Sequence, residues 1–75
     1  MPALPVLKAS EVIRALERAG WSQVKARGGH RQFTHPQKAG RITIPFHGNR
    51  DIEPWLLRRI LGQAGLKVEE FLTLL

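Results

Sequence analysis

His30, His35 and His47 are the side chains of this 75-residue chain whose ordinary titration range reaches neutrality, and no cysteine shares that role. His30 has the most suggestive surroundings. It follows Gly28-Gly29, where the backbone can turn freely, and precedes Arg31-Gln32-Phe33, where polar and apolar residues begin to alternate as in a strand. No Asp or Glu lies between Glu17 and Asp51, whereas Arg18, Lys25, Arg27, Arg31, Lys38, Arg41 and Arg50 all do. A titratable ring within a run of cations suits phosphate chemistry, because the ring moves a proton and the cations steady the developing charge. The histidines lack a tight ligand spacing and the stretch around them has no carboxylates, so the sequence offers no metal site and calls for no cofactor.

The bland readings stay open beside these. His30 also reads as a surface histidine of a strand with no chemical role. His47 is a second candidate for proton transfer, or a loop residue that ends a strand. His35 precedes Pro36 and reads as turn structure. Lys25, Arg27, Arg31 and Arg41 are candidates to track a phosphate backbone, or form a solvated face that keeps the protein soluble.

The elements that must position these residues follow from periodicity. Residues 1–9 carry two prolines and read as an extended lead-in. Ser10 reads as an N-cap with Glu11 in the first turn, and Val12, Ile13, Leu16 and Ala19 form one apolar stripe of a helix that Gly20 ends. Arg14, Glu17 and Arg18 take the other side. Trp21 to Arg27 reads as a first strand, with Val24 and Ala26 inward and Gln23, Lys25 and Arg27 outward. A second strand runs from about His30 to His35, residues 36–40 connect, and Arg41 to Phe46 is the third.

Pairing Phe33 with the Ile42, Ile44 and Phe46 face buries the apolar set and puts His30, Gln32 and Thr34 on the opposite, polar face. The same parity puts Arg41, Thr43 and His47 there too, so His30 and His47 are expected to be neighbours if no bulge intervenes. His47 to Glu53 reads as a loop. Pro54 opens a second helix with Trp55, Leu56, Leu57, Ile60, Leu61 and Ala64 on a wide apolar face, closed by Gly65. Trp21 and Trp55 sit in apolar-periodic segments and read as core rather than as base-stacking platforms. A short third helix spans residues 66–75, with Val68, Phe71, Leu72 and Leu75 packing down. The order predicts an α+β fold: a three-stranded antiparallel sheet with helices packed on one face, α-β-β-β-α, as a single domain over residues 1–75.

Composition bounds the rest. A hydrophobic fraction of 43% argues for a folded chain, and a formal charge of +6 with a pI near 11.3 for a polyanionic partner, nucleic acid first. An acidic protein or an anionic membrane surface satisfies the charge count equally well. No apolar run approaches the roughly 20 residues of a membrane span. Met-Pro-Ala-Leu-Pro has no basic region before an apolar stretch, which argues against a signal peptide, and a cytoplasmic protein is the simplest expectation.

Four motifs, in this order, carry a resemblance: Ala19-Gly20-Trp21, Gly28-Gly29-His30 with Phe33, Ile44-Pro45-Phe46-His47-Gly48-Asn49, and Leu57-Arg58-Arg59-Ile60-Leu61-Gly62-Gln63-Ala64-Gly65. Together they resemble the HicA toxin family over roughly residues 8–72. Two positions depart from it: Gly29 stands where a serine is common, and Trp55-Leu56 replaces a frequent Gly-Thr. The resemblance implies a fold like a double-stranded-RNA-binding domain. It implies the toxin of a type II toxin–antitoxin system, an endoribonuclease that cleaves mRNA and blocks translation, with His30 as the functional histidine. It also implies a HicB-like antitoxin covering the active surface. Arg58 and Arg59 could meet either RNA or an acidic antitoxin.

The expectation from residues and resemblance together is a metal-independent ribonuclease, monomeric when free. RNA carries its own nucleophile, the 2′-hydroxyl, whose proton neutral His30 could take. A non-catalytic basic RNA-binding module is the alternative, and a protein-interaction domain docking an acidic partner is a third.

Overall fold

The computed structural model describes residues 3–75, so the lead-in expected from residue 1 is seen only from Ala3, and Met1 and Pro2 lie outside the described residues. Leu7–Lys8 is a two-residue strand, β1, running directly into helix α1, Ala9–Arg18. The helix thus starts one residue before Ser10, and Ser10 is not its cap. Two tertiary contacts take that role: the Ser10 N–H donates to Asn49 Oδ1 at 2.8 Å and the Ala9 N–H to the Arg50 carbonyl at 3.1 Å. Glu11 behaves as its position suggests, accepting the Lys8 N–H at 3.0 Å. Val12, Ile13, Ala15 and Leu16 are buried, and Gly20, at φ 100°, closes the helix as expected.

The sheet comprises β2 (Ser22–Arg27), β3 (His30–His35) and β4 (Lys38–Pro45), antiparallel in that order. β4 begins three residues earlier than its alternation suggests, and Gly40, at φ 83°, lies where its register against β3 shifts. From there the pairing is regular: Phe33 faces Ile42, Gln32 Thr43, Arg31 Ile44 and His30 Pro45. Phe33, Ile42 and Ile44 are fully buried against the helices, and Phe46 packs half-buried at the end of the same set.

β2 departs from expectation. Its six residues are all exposed, and the register slips between Gln23 and Lys25. Val24 is the extra residue of this bulge and stands 51% exposed, while Gln23 takes the place opposite Phe33. Ala26 pairs with Arg31, beyond the reach of the helices, and is not core either.

Asp51–Ile52 forms β5, paired antiparallel with β1, so the expected 47–53 loop is pinned to the start of α1. Lys8 Nζ lies 3.7 Å from Asp51 Oδ1 across this pair. Helix α2, Pro54–Ala64, has Pro54 in its first turn and ends at Gly65, at φ 66°. Its buried residues are Leu57, Ile60, Leu61 and Ala64. Trp55 is not among them: two positions before Leu57 puts it about 200° around the helix from the buried stripe, and its indole is 62% exposed. Trp21, by contrast, is core at 2%.

α3 is shorter than expected, Val68–Leu72, with Phe71 buried. Leu75 is exposed, and Leu74 packs on the core instead. The result is the expected α+β arrangement, with the helices on one face of a three-stranded antiparallel sheet, compatible with a double-stranded-RNA-binding-domain fold.

Candidate functional site

The sheet face turned away from the helices carries the chemistry. Strand pairing places Lys25 beside Gln32, Arg27 beside His30, Gln32 beside Thr43 and His30 beside Pro45, so all of these project to that side. Lys25, Arg27, His30, Arg41 and Thr43 are exposed there. Arg41 reaches back one diagonal, its Nη1 donating to Gln32 Oε1 at 3.0 Å. No strand of this sheet contains an acidic residue, so the face is cationic throughout.

His30 and His47 meet at one end of this face. Their ring centroids are 5.4 Å apart with an interplanar angle of 86°, an edge-to-face contact across seventeen positions of sequence. The pairing from Phe33–Ile42 to His30–Pro45 is unbroken, and the Phe46 N–H continues it by donating to the Gly29 carbonyl at 2.6 Å. A register shift does intervene between the two histidines, but it lies at the Phe33–His35 end of the hairpin, away from the segment that sets their parity.

The two glycines before His30 serve different ends. Gly28 sits at φ 58°, in the left-handed region that tightens the two-residue turn between β2 and β3. Gly29 is needed for space: a Cβ there would fall on the His47 imidazole, at its Cε1, Nδ1 and Nε2. The serine common in the resembling family would occupy the place where His47 now lies.

The loop that follows His47 is tethered, although the His47 side chain is exposed. Asn49, two residues on, adopts φ 54°, and its side chain accepts the Ser10 N–H. Asn and Gly are the residues that enter this backbone region most readily, and His47-Gly48-Asn49 uses both in succession. Asn49 carried no role in the sequence reading because its partner is 39 residues away.

Arg31 stands apart from the other candidate cations. It pairs with Ile44, on the helix side of the sheet, and its guanidinium lies 3.7 Å over the Phe46 ring. Lys25, Arg27 and Arg41 share a face with His30; Arg31 does not. His35 is structural: Nδ1 accepts the Gln37 N–H, so Nε2 carries the proton donated to the Ala19 carbonyl, both at 3.0 Å. Its ring also lies edge-on to Trp21, 5.3 Å away.

Two depressions border the histidine pair and share Pro45 and Leu56 as a common wall. One, about 350 Å³, is lined by His30 and Thr43 on the sheet and by Arg59, Ile60 and Gln63 of α2. The other, about 200 Å³, is lined by His47, Arg50, Glu53 and Trp55. Arg59, noted only as a helix cation, therefore flanks His30, whereas Arg58 lines a separate groove with Leu66 and Lys67. The helix pattern placed Arg59 on the surface, but nothing in sequence aimed that surface at the sheet. Among the described residues no three His, Asp or Glu side chains gather closely enough to hold a metal ion.

Fold and face together define a class: a small basic α+β domain with an open, acid-free sheet face and a histidine pair at one end. Residues 9–66 match the family model described as the HicA toxin of bacterial toxin–antitoxin systems. The match runs from α1 past the end of α2, and the chain belongs to the HicA toxin family. It is accordingly a toxin of the toxin–antitoxin type, with a cognate antitoxin as partner. A search of curated proteins finds no match. Among the described residues no helix is long and apolar enough to cross a membrane.

Proposed function

We propose that this toxin is a metal-independent endoribonuclease that cleaves mRNA in the cytoplasm and so blocks translation, working as a single domain over residues 1–75 and as a monomer when free. The observation that carries the reading is the contact between His30 and His47 at the end of a cationic face. Cleavage through the substrate's own nucleophile needs a base, an acid and charge stabilisation, and no metal-bound water. Neutral His30 takes the proton of the 2′-hydroxyl as that oxygen attacks the adjacent phosphorus. His47, protonated, gives its proton to the departing 5′-oxygen, so a 2′,3′-cyclic phosphate and a 5′-hydroxyl are formed. Lys25, Arg27 and Arg41 hold neighbouring phosphates, and Arg59 at the rim of the His30 groove steadies charge on the reacting one. Arg31, on the far face, supports Phe46 and through it the segment carrying His47.

The test is mass spectrometry of the 5′ fragment from a short RNA digested with EDTA present. A 2′,3′-cyclic phosphate end is expected, and a single 2′-deoxy substitution at the cut site should stop the reaction there. A 3′-hydroxyl end, or activity that returns only with Mg²⁺, would sink the mechanism. Tight RNA binding with no cleavage under any condition would leave the non-catalytic module as the function.

A further inference from the structure

The exposed indole of Trp55 has no structural task in the core, yet it is held in place beside the histidine pair. Its Nε1–H donates to Glu53 Oε2, which fixes the ring's orientation at the first turn of α2. It walls the same depression as His47 and shares Pro45 and Leu56 with the groove of His30. At about 200 Å³, this depression is below the roughly 300–1,000 Å³ of pockets that enclose a small molecule. It is a shelf for something flat.

We infer that Trp55 is a stacking platform for the nucleobase next to the scissile phosphate, an inference that rests on reading RNA as the substrate. The charge distribution supports it. The Trp55 end mixes Asp51 and Glu53 with Arg50, and Asp51 is partnered by Lys8, so it is not a cationic surface, while Lys25, Arg27 and Arg41 draw phosphates over the sheet. A strand laid across the site therefore puts its backbone on the cations and turns a base toward the indole. Base–aromatic stacking tolerates any base, because each offers a π-face.

Trp21 and Trp55 are the only tryptophans. Trp21→Phe removes a buried Nε1–H that has no hydrogen-bond partner and leaves Trp55 as the sole indole emitter. Titrating this variant with a short 2′-O-methyl RNA, which binds without being cut, should quench its fluorescence. The same strand lacking bases should bind, by anisotropy, with little quenching. In the otherwise unaltered chain, Trp55→Ala should raise KM for a short RNA about tenfold and Trp55→Phe much less, in line with measured stacking losses.

Unchanged emission on a bound strand, equal quenching by the abasic strand, or an unaltered KM in Trp55→Ala would overturn the inference while leaving the ribonuclease reading intact. Failure of the wild-type chain to bind or cut any RNA would instead overturn both. Trp55→Ala that loosens only the cognate antitoxin would give the indole to the protein partner and also overturn it.

Discussion

At position 29 what matters is space. The His47 ring lies where a side chain on residue 29 would begin, and His47 is an exposed residue free to swing aside. Gly29→Ser should therefore leave the fold intact and move the ring off His30. If His47 is the acid, losing it from the pair costs about a hundredfold in kcat, within the range of positioned proton-transfer groups. His47→Ala should show a similar loss, and the double variant no further one, because the two changes remove the same arrangement. Additive losses in the cycle, with unchanged thermal midpoints, would show that residue 29 does not seat His47. His30→Ala separates chemistry from binding: cleavage and growth arrest should vanish while RNA affinity holds, since Lys25, Arg27 and Arg41 remain. A variant that still cuts at the original rate would remove His30 from the mechanism.

The elements hold this arrangement through contacts distant in sequence, and stability can show it. Ser10 reads as the cap of α1 by type and position, yet the side chain that serves the helix start is that of Asn49. Ser10→Ala should accordingly change the urea midpoint by less than about 0.5 kcal/mol equivalent, as at ordinary surface positions. Asn49→Ala should cost about 1 kcal/mol or more, by losing a cap, and should also slow cleavage, because the loop carrying His47 loses its tether. Equal effects of the two substitutions would return the cap to Ser10. The contrast explains what could be seen in the sequence. Phe33, Ile42 and Ile44 alternate strictly, so one register alone buries them all, and with it follow the sheet, its polar face and the nearness of His30 and His47. Val24 was misread because a bulge resets parity without leaving a mark in residue types. Trp55 was misread because an apolar residue next to an apolar stripe looks like part of it, and only angular position tells them apart. The Gly29–His47 and Ser10–Asn49 contacts depend on how three elements meet, which no local window contains.

The whole molecule is one-sided. Its helices cover one face of the sheet, and its acidic residues lie on α1, on the β5–α2 segment and on α3, so the uncovered sheet face, the one proposed above to meet RNA, is the least shielded positive surface. Binding of a polyanion there releases counterions, and log affinity should fall linearly with log salt. Removing Lys25, Arg27 or Arg41 singly should reduce that slope by about 0.7 each for a single strand, whereas Arg31→Ala, on the other face, should leave the slope nearly unchanged and lower stability through Phe46. An antitoxin that must silence a toxin of this shape has one economical place to sit. Covering the open face blocks His30, neutralises the cations and leaves the packed helices undisturbed. Antitoxin and RNA should therefore exclude one another. Adding the purified cognate antitoxin to a complex of the His30→Ala toxin with labelled RNA, where no cleavage confuses the signal, should release the RNA in proportion to the antitoxin bound. The same experiment with the Lys25→Ala and Arg41→Ala toxins should show weaker hold on both partners. A stable ternary complex with undiminished RNA affinity would place the antitoxin on the helices and require that it inhibit from a distance.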